Sequence, residues 1–232
     1  MKEFEFKLSL DEIPDNLSKK WEEREGVPEN FVSVYHYTKR HALRGIAEKG
    51  LSHYERVISE KKLSNFQKLK IDMDREFDKI AKKMGSRHKR SGAVYALPSL
   101  DKKVKESEIL LEIKVDPRKA IVGDARLVTA AGISWLETKE GKEWFKDNPN
   151  FIKENEKEVF IELQKEFQND YKSYIHQYWQ GVILLENWNK LSASEKVNLF
   201  KWPEVVIESE IYSESEGTIQ PKFIRVKKTK VD

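Results

Sequence analysis

The chain has 232 residues, of which 38% are hydrophobic, 36% are charged and 11% are aromatic. Because its 43 basic side chains nearly balance 40 acidic ones, the formal net charge of +3 indicates no general affinity for nucleic acid. The absence of cysteine excludes disulfides, thiolate metal sites and a cysteine nucleophile. No stretch has the apolar length of a signal-peptide core or a membrane span, so we expect a cytoplasmic protein without membrane contact.

The hydrophobic pattern of the first half predicts two strands, a short helix and a long helix. Residues 2–10 alternate like an edge strand, and residues 32–38 form the next strand. A helix follows over about residues 39–48, and Gly50 ends it. From residue 59 to about 84 the apolar positions are spaced by three or four residues, which is typical of a long amphipathic helix.

The second half predicts short strands and two more helices. The strands are expected at residues 91–98, 108–115, 120–122, 182–185, 204–208, 211–212 and 221–226. Helical patterns run over residues 134–144 and, as a second long amphipathic helix, over about 155–178. Neither an internal repeat nor a long linker divides the chain. The sequence therefore predicts one α+β domain over residues 1–232, with short strands around two long helices.

A basic segment lies in the middle of the chain. Residues 61–90 hold eleven basic and four acidic side chains and end in Arg87-His88-Lys89-Arg90. We interpret this segment as a solvated helix face followed by a basic loop. A surface for phosphates or nucleic-acid backbone is the alternative, which the local charge allows but no base-reading motif supports.

Most common catalytic motifs are absent from the chain. It has no glycine-rich dinucleotide loop or Walker loop, no His-Glu-x-x-His zinc motif and no Gly-x-Ser-x-Gly nucleophile elbow. Three features on predicted strands remain as candidates: His36 with Thr38 on one strand face, Tyr95, and Glu204. Taken singly, each of these residues is more often an ordinary strand residue than part of a site.

The order of these features along the chain resembles a known family. Tyr35-His36-Tyr37-Thr38, followed by a helix and Lys49-Gly50-Leu51, is similar to the opening of ADP-ribosyltransferases of the His-Tyr-Glu class, the diphtheria-toxin and poly-ADP-ribose-polymerase side of that family. In that class a tyrosine strand similar to residues 92–97 follows, and a glutamate comes on a later strand, as Glu204 does here. The order and separation match over about residues 32–226.

The resemblance implies a fold, a reaction and a co-substrate. The fold is a split sandwich of short mixed or antiparallel sheets in a single domain, with core strands over about residues 32–226. The co-substrate is NAD. The reaction is mono-ADP-ribosyl transfer to a macromolecular acceptor, protein or nucleic acid, with release of nicotinamide, as in a toxin or a phage-type effector.

The resemblance also implies a role for each candidate residue. His36 would hold a ribose hydroxyl of NAD, with Thr38 supporting its position. Tyr95 would offer an aromatic face to the flat, cationic nicotinamide ring. Glu204 would accept a hydrogen bond from the ribose 2′-hydroxyl and stabilise the positive charge that develops on the sugar.

One expected aromatic residue is missing. The family usually carries a second aromatic on the helix after the tyrosine strand, but residues 100–108 contain none. Tyr37, Tyr54 or a tyrosine of the second long helix would complete the sandwich around the nicotinamide, or the sandwich is one-sided.

Two further assignments stay open. Glu208 and Glu210 lie on the same predicted strand face as Glu204, so each is an alternative catalytic glutamate. Arg87 and Arg90 are candidate ligands of the NAD pyrophosphate, on the grounds of charge and proximity in sequence.

Two other functions compete with the transferase. An NAD-dependent RNA 2′-phosphotransferase also begins with a histidine strand, and its phosphate site depends on arginines, which the basic residues 82–90 allow. A non-catalytic module that binds nucleic acid or a protein through residues 61–90 is the third interpretation. Five scattered histidines predict no histidine-rich metal site in any of these cases.

Overall fold

Two antiparallel sheets organise the part of the chain that the structure describes. This is a computed structural model, and it describes residues 13–52, 65–99, 108–149, 152, 157–208 and 218–227. The predicted strands at 2–10 and 211–212, together with Tyr54 and Glu210, lie outside these residues. The described residues form a small mixed α/β domain with sheets of three and four strands, which confirms the α+β prediction at that level.

The first sheet is centred on β3 (Glu108–Val115). This strand lies between β1 (Val32–Lys39) and β7 (Ile224–Val226). β1 pairs antiparallel with β3 over all of its 8 residues. Leu111 and Ile113 of β3 are completely buried, and both belong to one hydrophobic core.

The second sheet is centred on β6 (Pro203–Ile207). β2 (Val94–Ala96) lies on one side of β6 and β4 (Ala120–Asp124) on the other, and β5 (Ile183–Leu184) completes the edge beside β4. Residues 205–207 have no exposed surface, because other layers cover both faces of this sheet.

The chain packs in three layers, with the second sheet in the middle. One face of this sheet packs against the first sheet in a core that includes Val122 and Val205. The opposite face packs against helices in a core that includes Phe77, Ile121 and Val206. Alternation along β4 and β6 therefore sends neighbouring residues into different cores.

Helices of 4 to 19 residues connect the strands. In chain order they are α1 (Asp15–Ser18), α2 (Leu43–Lys49), α3 (Asn65–Lys83), α4 (Ala125–Leu136), α5 (Lys139–Asp147), α6 (Lys157–Glu166), α7 (Tyr171–Gly181), α8 (Leu185–Lys190) and α9 (Ala193–Leu199), with 3-10 turns at Trp21–Glu23, Arg40–Ala42 and Pro221–Phe223. Both α3 and α4 pack on α7. Among the described residues, no helix is long and apolar enough to cross a membrane.

The second long helix of the prediction is in fact two helices. Residues 167–170 separate α6 from α7, and within this break the carbonyl of Asn169 accepts a hydrogen bond from the Ser134 hydroxyl. The apolar spacing continues through the break, but Asn169 and Asp170 are turn-forming residues, and Asp170 is the N-cap of α7. The predicted continuous helix over 155–178 is therefore wrong.

Other boundaries differ for local reasons. The first long helix is confirmed over the range of α3. The helix predicted over 134–144 is interrupted, because Thr138 caps α5 by accepting a hydrogen bond from the N–H of Gly141 at 3.1 Å. The strand predicted over 182–185 keeps two residues, since Leu185 begins α8.

One pair of backbone hydrogen bonds joins the two sheets. The Tyr35 N–H donates to the Leu97 carbonyl at 2.9 Å, and the Leu97 N–H donates to the Tyr35 carbonyl at 2.7 Å. Among the described residues this is the one backbone bridge between the first and second sheets, which leaves a seam between them. His36 of β1 directly follows Tyr35, and Tyr95 of β2 lies two residues before Leu97.

Gly50 ends α2, as the sequence predicts, with a φ of 84°. A Cβ there would collide with the carbonyl oxygen of Ile219, to which the Leu51 N–H donates at 2.9 Å. We expect Gly50→Ala to lower the free energy of unfolding by about 2 kcal/mol or more, because the left-handed conformation and the collision both strain alanine.

Gly45→Ala, in α2 itself, is the matched control. No atom lies within 4 Å of a Cβ at Gly45, so this substitution should stabilise the helix by about 0.5–1 kcal/mol. Urea unfolding measures both variants, and equal effects on stability would contradict this account.

Candidate functional site

Two side chains from neighbouring strands point toward the helical layer. Tyr95 on β2 lies opposite Val206 on β6, and Glu204 lies two residues earlier on β6, opposite Gly123 of β4. Because cross-strand partners and alternate residues share a face, Tyr95 and Glu204 lie on the same side of the second sheet.

A buried arginine connects these strands to two helices. Arg90 donates from Nε to Oδ1 of Asp74 on α3 at 3.1 Å and from Nη1 to the Tyr178 hydroxyl on α7 at 2.6 Å. Nη1 also donates to Oε1 of Glu204. The side chains of Arg90 and Asp74 are each 1% exposed, and that of Glu204 is 13% exposed. We call Asp74, Arg90, Tyr95, Tyr178 and Glu204 the Arg90 cluster.

Aromatic rings enclose the guanidinium. Cζ of Arg90 lies 4.8 Å from the ring centroids of both Tyr95 and Tyr178, and 5.1 Å from that of Phe77. At these distances the faces of aromatic rings attract a cation. Burial by itself lowers the pKa of Arg90, but the charge of Glu204 and the other groups of the cluster raise it well above its usual value. Arg90 is therefore always charged.

The two tyrosines of the cluster are neutral hydrogen-bonding groups. Burial raises the pKa of Tyr95 and the pKa of Tyr178 well above the usual value of 10. The Tyr95 hydroxyl donates to Oδ2 of Asp74 at 2.8 Å, and the Tyr178 hydroxyl donates to Oε1 of Glu204 at 3.2 Å. The buried carboxylates thus receive hydrogen bonds from neutral and from charged donors, as their burial requires.

Asp78 fixes the backbone of the loop that carries Arg90. Its carboxylate accepts from the N–H groups of Arg90 at 2.6 Å and Ser91 at 3.2 Å, and from the Ser91 hydroxyl. Burial raises the pKa of Asp78, and these hydrogen bonds only partly oppose that effect. Earlier in the loop, Nδ1 of His88 lies 2.8 Å from Oε1 of Glu208, just beyond β6. The loop is therefore attached both to α3 and to the end of β6.

His36 reaches Tyr95 from the other sheet. Its Nδ1 lies 2.7 Å from the Tyr95 carbonyl oxygen. Since a carbonyl only accepts, Nδ1 carries the hydrogen and Nε2 is the acceptor nitrogen. Burial lowers the pKa of His36 below the ordinary 6.5; the hydrogen bond to the Tyr95 carbonyl only partly opposes this effect, and the charge of Lys70 adds to it. His36 is therefore neutral near pH 7.

Lys70 on α3 lies near both His36 and the Arg90 cluster. Its Nζ is 4.0 Å from the centroid of the Tyr95 ring. Burial lowers the pKa of Lys70, and the Asp74 carboxylate only partly opposes this effect. Lys70 thus supplies a second, half-buried cation against the same ring that Arg90 contacts.

The structure brings four of the predicted site residues together, namely His36, Tyr95, Arg90 and Glu204. His36 contacts the backbone of Tyr95, and Tyr95 and Glu204 both contact Arg90. Thr38 lies two residues beyond His36 on β1, paired with Ile109 of the first sheet.

The remaining charged candidates lie in different environments. Arg87 is exposed, whereas Arg90 is buried within its cluster. Glu208 follows β6 and contacts His88, so Glu204 is the described candidate glutamate that belongs to the cluster.

A tyrosine from the second helical segment does lie at the site. Tyr178 flanks the Arg90 guanidinium together with Tyr95. Tyr37 is on β1, on the strand face opposite to that of His36.

Sequence reasoning missed the contribution of α3. Lys70, Asp74 and Asp78 recur at every fourth residue, a spacing that places them on one face of a helix. These three charged residues lie beside the apolar positions 73 and 77 on the helix. This spacing indicates that some of the charged side chains of residues 61–90 face the protein interior and not solvent.

Comparisons with known proteins identify no relative. No protein-family model, no curated protein and no solved structure matches the chain. Within the described ranges, no group of three or more histidine, aspartate or glutamate side chains could hold a metal ion. The functional interpretation therefore depends on the residues of the site and on the resemblance of the motifs.

Gly123 lets Tyr178 lie against β4. A Cβ at Gly123 would lie 2.6 Å from three atoms of the Tyr178 side chain, which is 1% exposed and has little room to move. We expect Gly123→Ala to lower the free energy of unfolding by about 1–3 kcal/mol through overpacking. Gly132→Ala is the control, because no atom lies within 4 Å of its Cβ. Urea unfolding that shows the two variants equally stable would argue against this packing.

The lowered pKa of His36 predicts a pH dependence of stability. Below pH 6.5 the unfolded chain binds a proton at His36 that the folded chain takes up only at lower pH, so folding loses stability as the pH falls through this window. His36→Asn keeps a donor toward the Tyr95 carbonyl but does not titrate. We expect the stability of the wild type relative to this variant to be smaller at pH 5.5 than at pH 7.5 in urea unfolding. A difference that is constant with pH would contradict the assignment.

Proposed function

We propose that the chain is an NAD-dependent mono-ADP-ribosyltransferase of the His-Tyr-Glu class, which transfers ADP-ribose to a macromolecular acceptor and releases nicotinamide. One observation carries the proposal. His36, Tyr95 and Glu204, the three motif residues, come from distant parts of the sequence and converge beside the seam between the sheets. Three strand residues without a common role would not be expected to lie this close together.

The arrangement of the strands also supports the proposal. β1, which carries His36, belongs to the first sheet, whereas the strands of Tyr95 and Glu204 belong to the second. The described bridge between β1 and β2 is one residue pair, Tyr35 and Leu97. This agrees with the split sandwich that the resemblance implies, and we include that fold in the proposal.

Glu204 would act on the ribose next to nicotinamide. In the reaction the bond between the anomeric carbon and the nicotinamide nitrogen breaks, an acceptor oxygen or nitrogen bonds to that carbon, and the acceptor loses a proton. Positive charge develops on the sugar, and a fixed carboxylate stabilises it. Within the described part of the chain, the hydrogen bonds from Arg90 and Tyr178 both reach Oε1 of Glu204, so the proposal assigns the ribose hydroxyl to Oε2.

His36 would accept a hydrogen bond from a ribose hydroxyl. Its Nδ1 is oriented by the Tyr95 carbonyl, and its Nε2 is the acceptor of a neutral ring. A hydroxyl can donate to this nitrogen, whereas it could not donate to a protonated imidazole. Thr38, two residues along the same strand face, supports this edge in the proposed site.

The Tyr95 ring would receive the nicotinamide. Its environment already attracts cations, since Lys70 and Arg90 lie 4.0 Å and 4.8 Å from its centroid. The nicotinamide ring of NAD is also a flat cation, and we propose that it displaces the half-buried Lys70 ammonium. The displaced charge would then lie close to the pyrophosphate of the same NAD molecule.

Release of nicotinamide from labelled NAD tests the proposal. We expect turnover by the wild type, and a loss of about 100-fold or more in His36→Asn and in Glu204→Gln, because each removes an acceptor for the ribose. Glu112→Gln is the matched control: Glu112 is another buried carboxylate, and it binds Arg225 at 2.8 Å on the first sheet. This control should lose stability but keep its activity per folded molecule.

Other outcomes would support the competing functions. Absence of NAD binding at millimolar concentration, together with salt-sensitive binding of nucleic acid, would favour a binding module that uses residues 61–90. NAD-dependent loss of phosphate from a 2′-phosphorylated RNA would favour the phosphotransferase. Either result overturns the proposal.

A further inference from the structure

Arg90 is held from its backbone to the end of its side chain. Its N–H donates to Asp78 at 2.6 Å, and its guanidinium contacts Asp74, Tyr178 and Glu204. The side chain is 1% exposed. Any role of Arg90 therefore has to be compatible with a fixed side chain.

The contacts that hold Arg90 in this structure argue against a direct contact with phosphate. An arginine that binds a pyrophosphate directs its donors toward solvent or toward the ligand. Nε and Nη1 of Arg90, which carry three of its five N–H donors, instead point to two carboxylates and a tyrosine inside the protein. Arg87, three residues earlier, is exposed and is the better candidate for that contact.

Withdrawal of Arg90 to admit a ligand is also unfavourable. Asp74 is 1% exposed, and its two oxygens bind Arg90 and the Tyr95 hydroxyl. Removal of the guanidinium would leave this carboxylate and Glu204 without their cation in a buried place, which is strongly destabilising. The guanidinium is therefore a permanent part of the cluster.

The contacts of Arg90 determine the direction of Glu204. Nη1 of Arg90 and the Tyr178 hydroxyl both donate to Oε1 of Glu204, so the carboxylate cannot rotate without losing two hydrogen bonds. Of this ion pair, Glu204 is the member that reaches the surface, with 13% exposure against 1%. The exposed part of Glu204 is thereby presented in one orientation.

Arg90 also orients the side chain of Tyr95. Asp74, which binds Nε of Arg90, accepts the Tyr95 hydroxyl at 2.8 Å, and the Arg90 carbonyl oxygen lies at the same distance from that hydroxyl. The guanidinium also lies 4.8 Å from the Tyr95 ring centroid.

We infer that Arg90 is a positioning residue, which fixes the carboxylate of Glu204 and the ring of Tyr95 for a ligand that it does not touch. As a statement about catalysis, the inference rests on the proposed transferase function. It also replaces the expectation that Arg90 binds pyrophosphate.

Arg90→Ala provides the main test. The substitution leaves a space between two tyrosine rings and two carboxylates that matches a free guanidinium ion. We expect kcat for nicotinamide release to fall about 100-fold, as for a misplaced catalytic group, with KM for NAD changed by less than about threefold. Guanidinium chloride at low millimolar concentration should restore a large part of kcat, whereas sodium chloride at equal ionic strength should not.

Arg225→Ala is the matched control. Arg225 also pairs with a buried carboxylate, that of Glu112 at 2.7 Å, but on the first sheet and away from the cluster. This variant should lose stability without a change in kcat or KM. If Arg90→Ala does not fold, Tyr178→Phe keeps the guanidinium but removes the hydroxyl that donates to Oε1 of Glu204 and accepts from Nη1 of Arg90, and it should lower kcat with KM unchanged.

The split between kcat and KM separates the possible roles. For Arg90→Ala, a rise in KM for NAD at unchanged kcat would identify Arg90 as a pyrophosphate ligand. A lower KM for NAD, with inhibition by guanidinium, would show that the Arg90 side chain occupies space that NAD itself uses. Either result overturns the inference. Failure of guanidinium to rescue folded Arg90→Ala, or an unchanged kcat in folded Tyr178→Phe, does so as well.

A second readout does not depend on NAD. Guanidinium at low millimolar concentration should raise the Tm of Arg90→Ala more than that of Arg90→Ala combined with Glu204→Gln, because the second substitution removes one of the two carboxylates, Asp74 and Glu204, that would bind the ion. If the wild type releases no nicotinamide, the proposed function fails, and this measurement still decides whether Arg90 holds Glu204. Equal Tm shifts in the two variants would overturn the inference.

Discussion

The charge of Arg90 has to be neutralised inside the protein, and much of the structure around the second sheet follows from that requirement. Breaking a buried ion pair by removing one partner costs about 3–5 kcal/mol. Asp74, Tyr178 and Glu204 must therefore arrive at one point from three separate elements, α3, α7 and β6. A guanidinium suits this task because its fork of donors can bind several acceptors in fixed directions while its flat faces pack on aromatic rings.

The same requirement connects the cluster to the seam. Tyr95 contacts the cluster through its ring and hydroxyl, and its carbonyl accepts from His36 on the other sheet. The described sheets otherwise share one backbone bridge next to this contact. Any displacement of β2 would therefore change both the contacts of Tyr95 with Arg90 and Asp74 and its hydrogen bond with His36.

The parts of this arrangement that could be predicted from sequence are those with a local pattern. Short β-rich runs identified the strands of His36, Tyr95 and Glu204, and the spacing of apolar residues identified α3. The break before α7 was missed because apolar spacing continued across it, although Asn169 and Asp170 are turn formers. The cluster itself was unpredictable, since nothing local to Arg90 shows that its partners lie 16, 88 and 114 residues away.

The charges of the site suit the proposed reaction better than they suit tight binding of NAD. Lys70 and Arg90 are cations, and Asp74 and Glu204 are carboxylates, so the site has little net attraction for a cationic ring before reaction. As nicotinamide leaves, positive charge moves from the ring to the sugar, and in the proposed pose Glu204 faces the sugar. In that pose the interaction with Glu204 would strengthen in the transition state, and only interactions of that kind accelerate the chemical step. In the proposed transferase, a carboxylate held through one oxygen by a fixed guanidinium would not have to reorient when that charge appears, and this preorganisation would give a physical reason to bury Arg90 behind it.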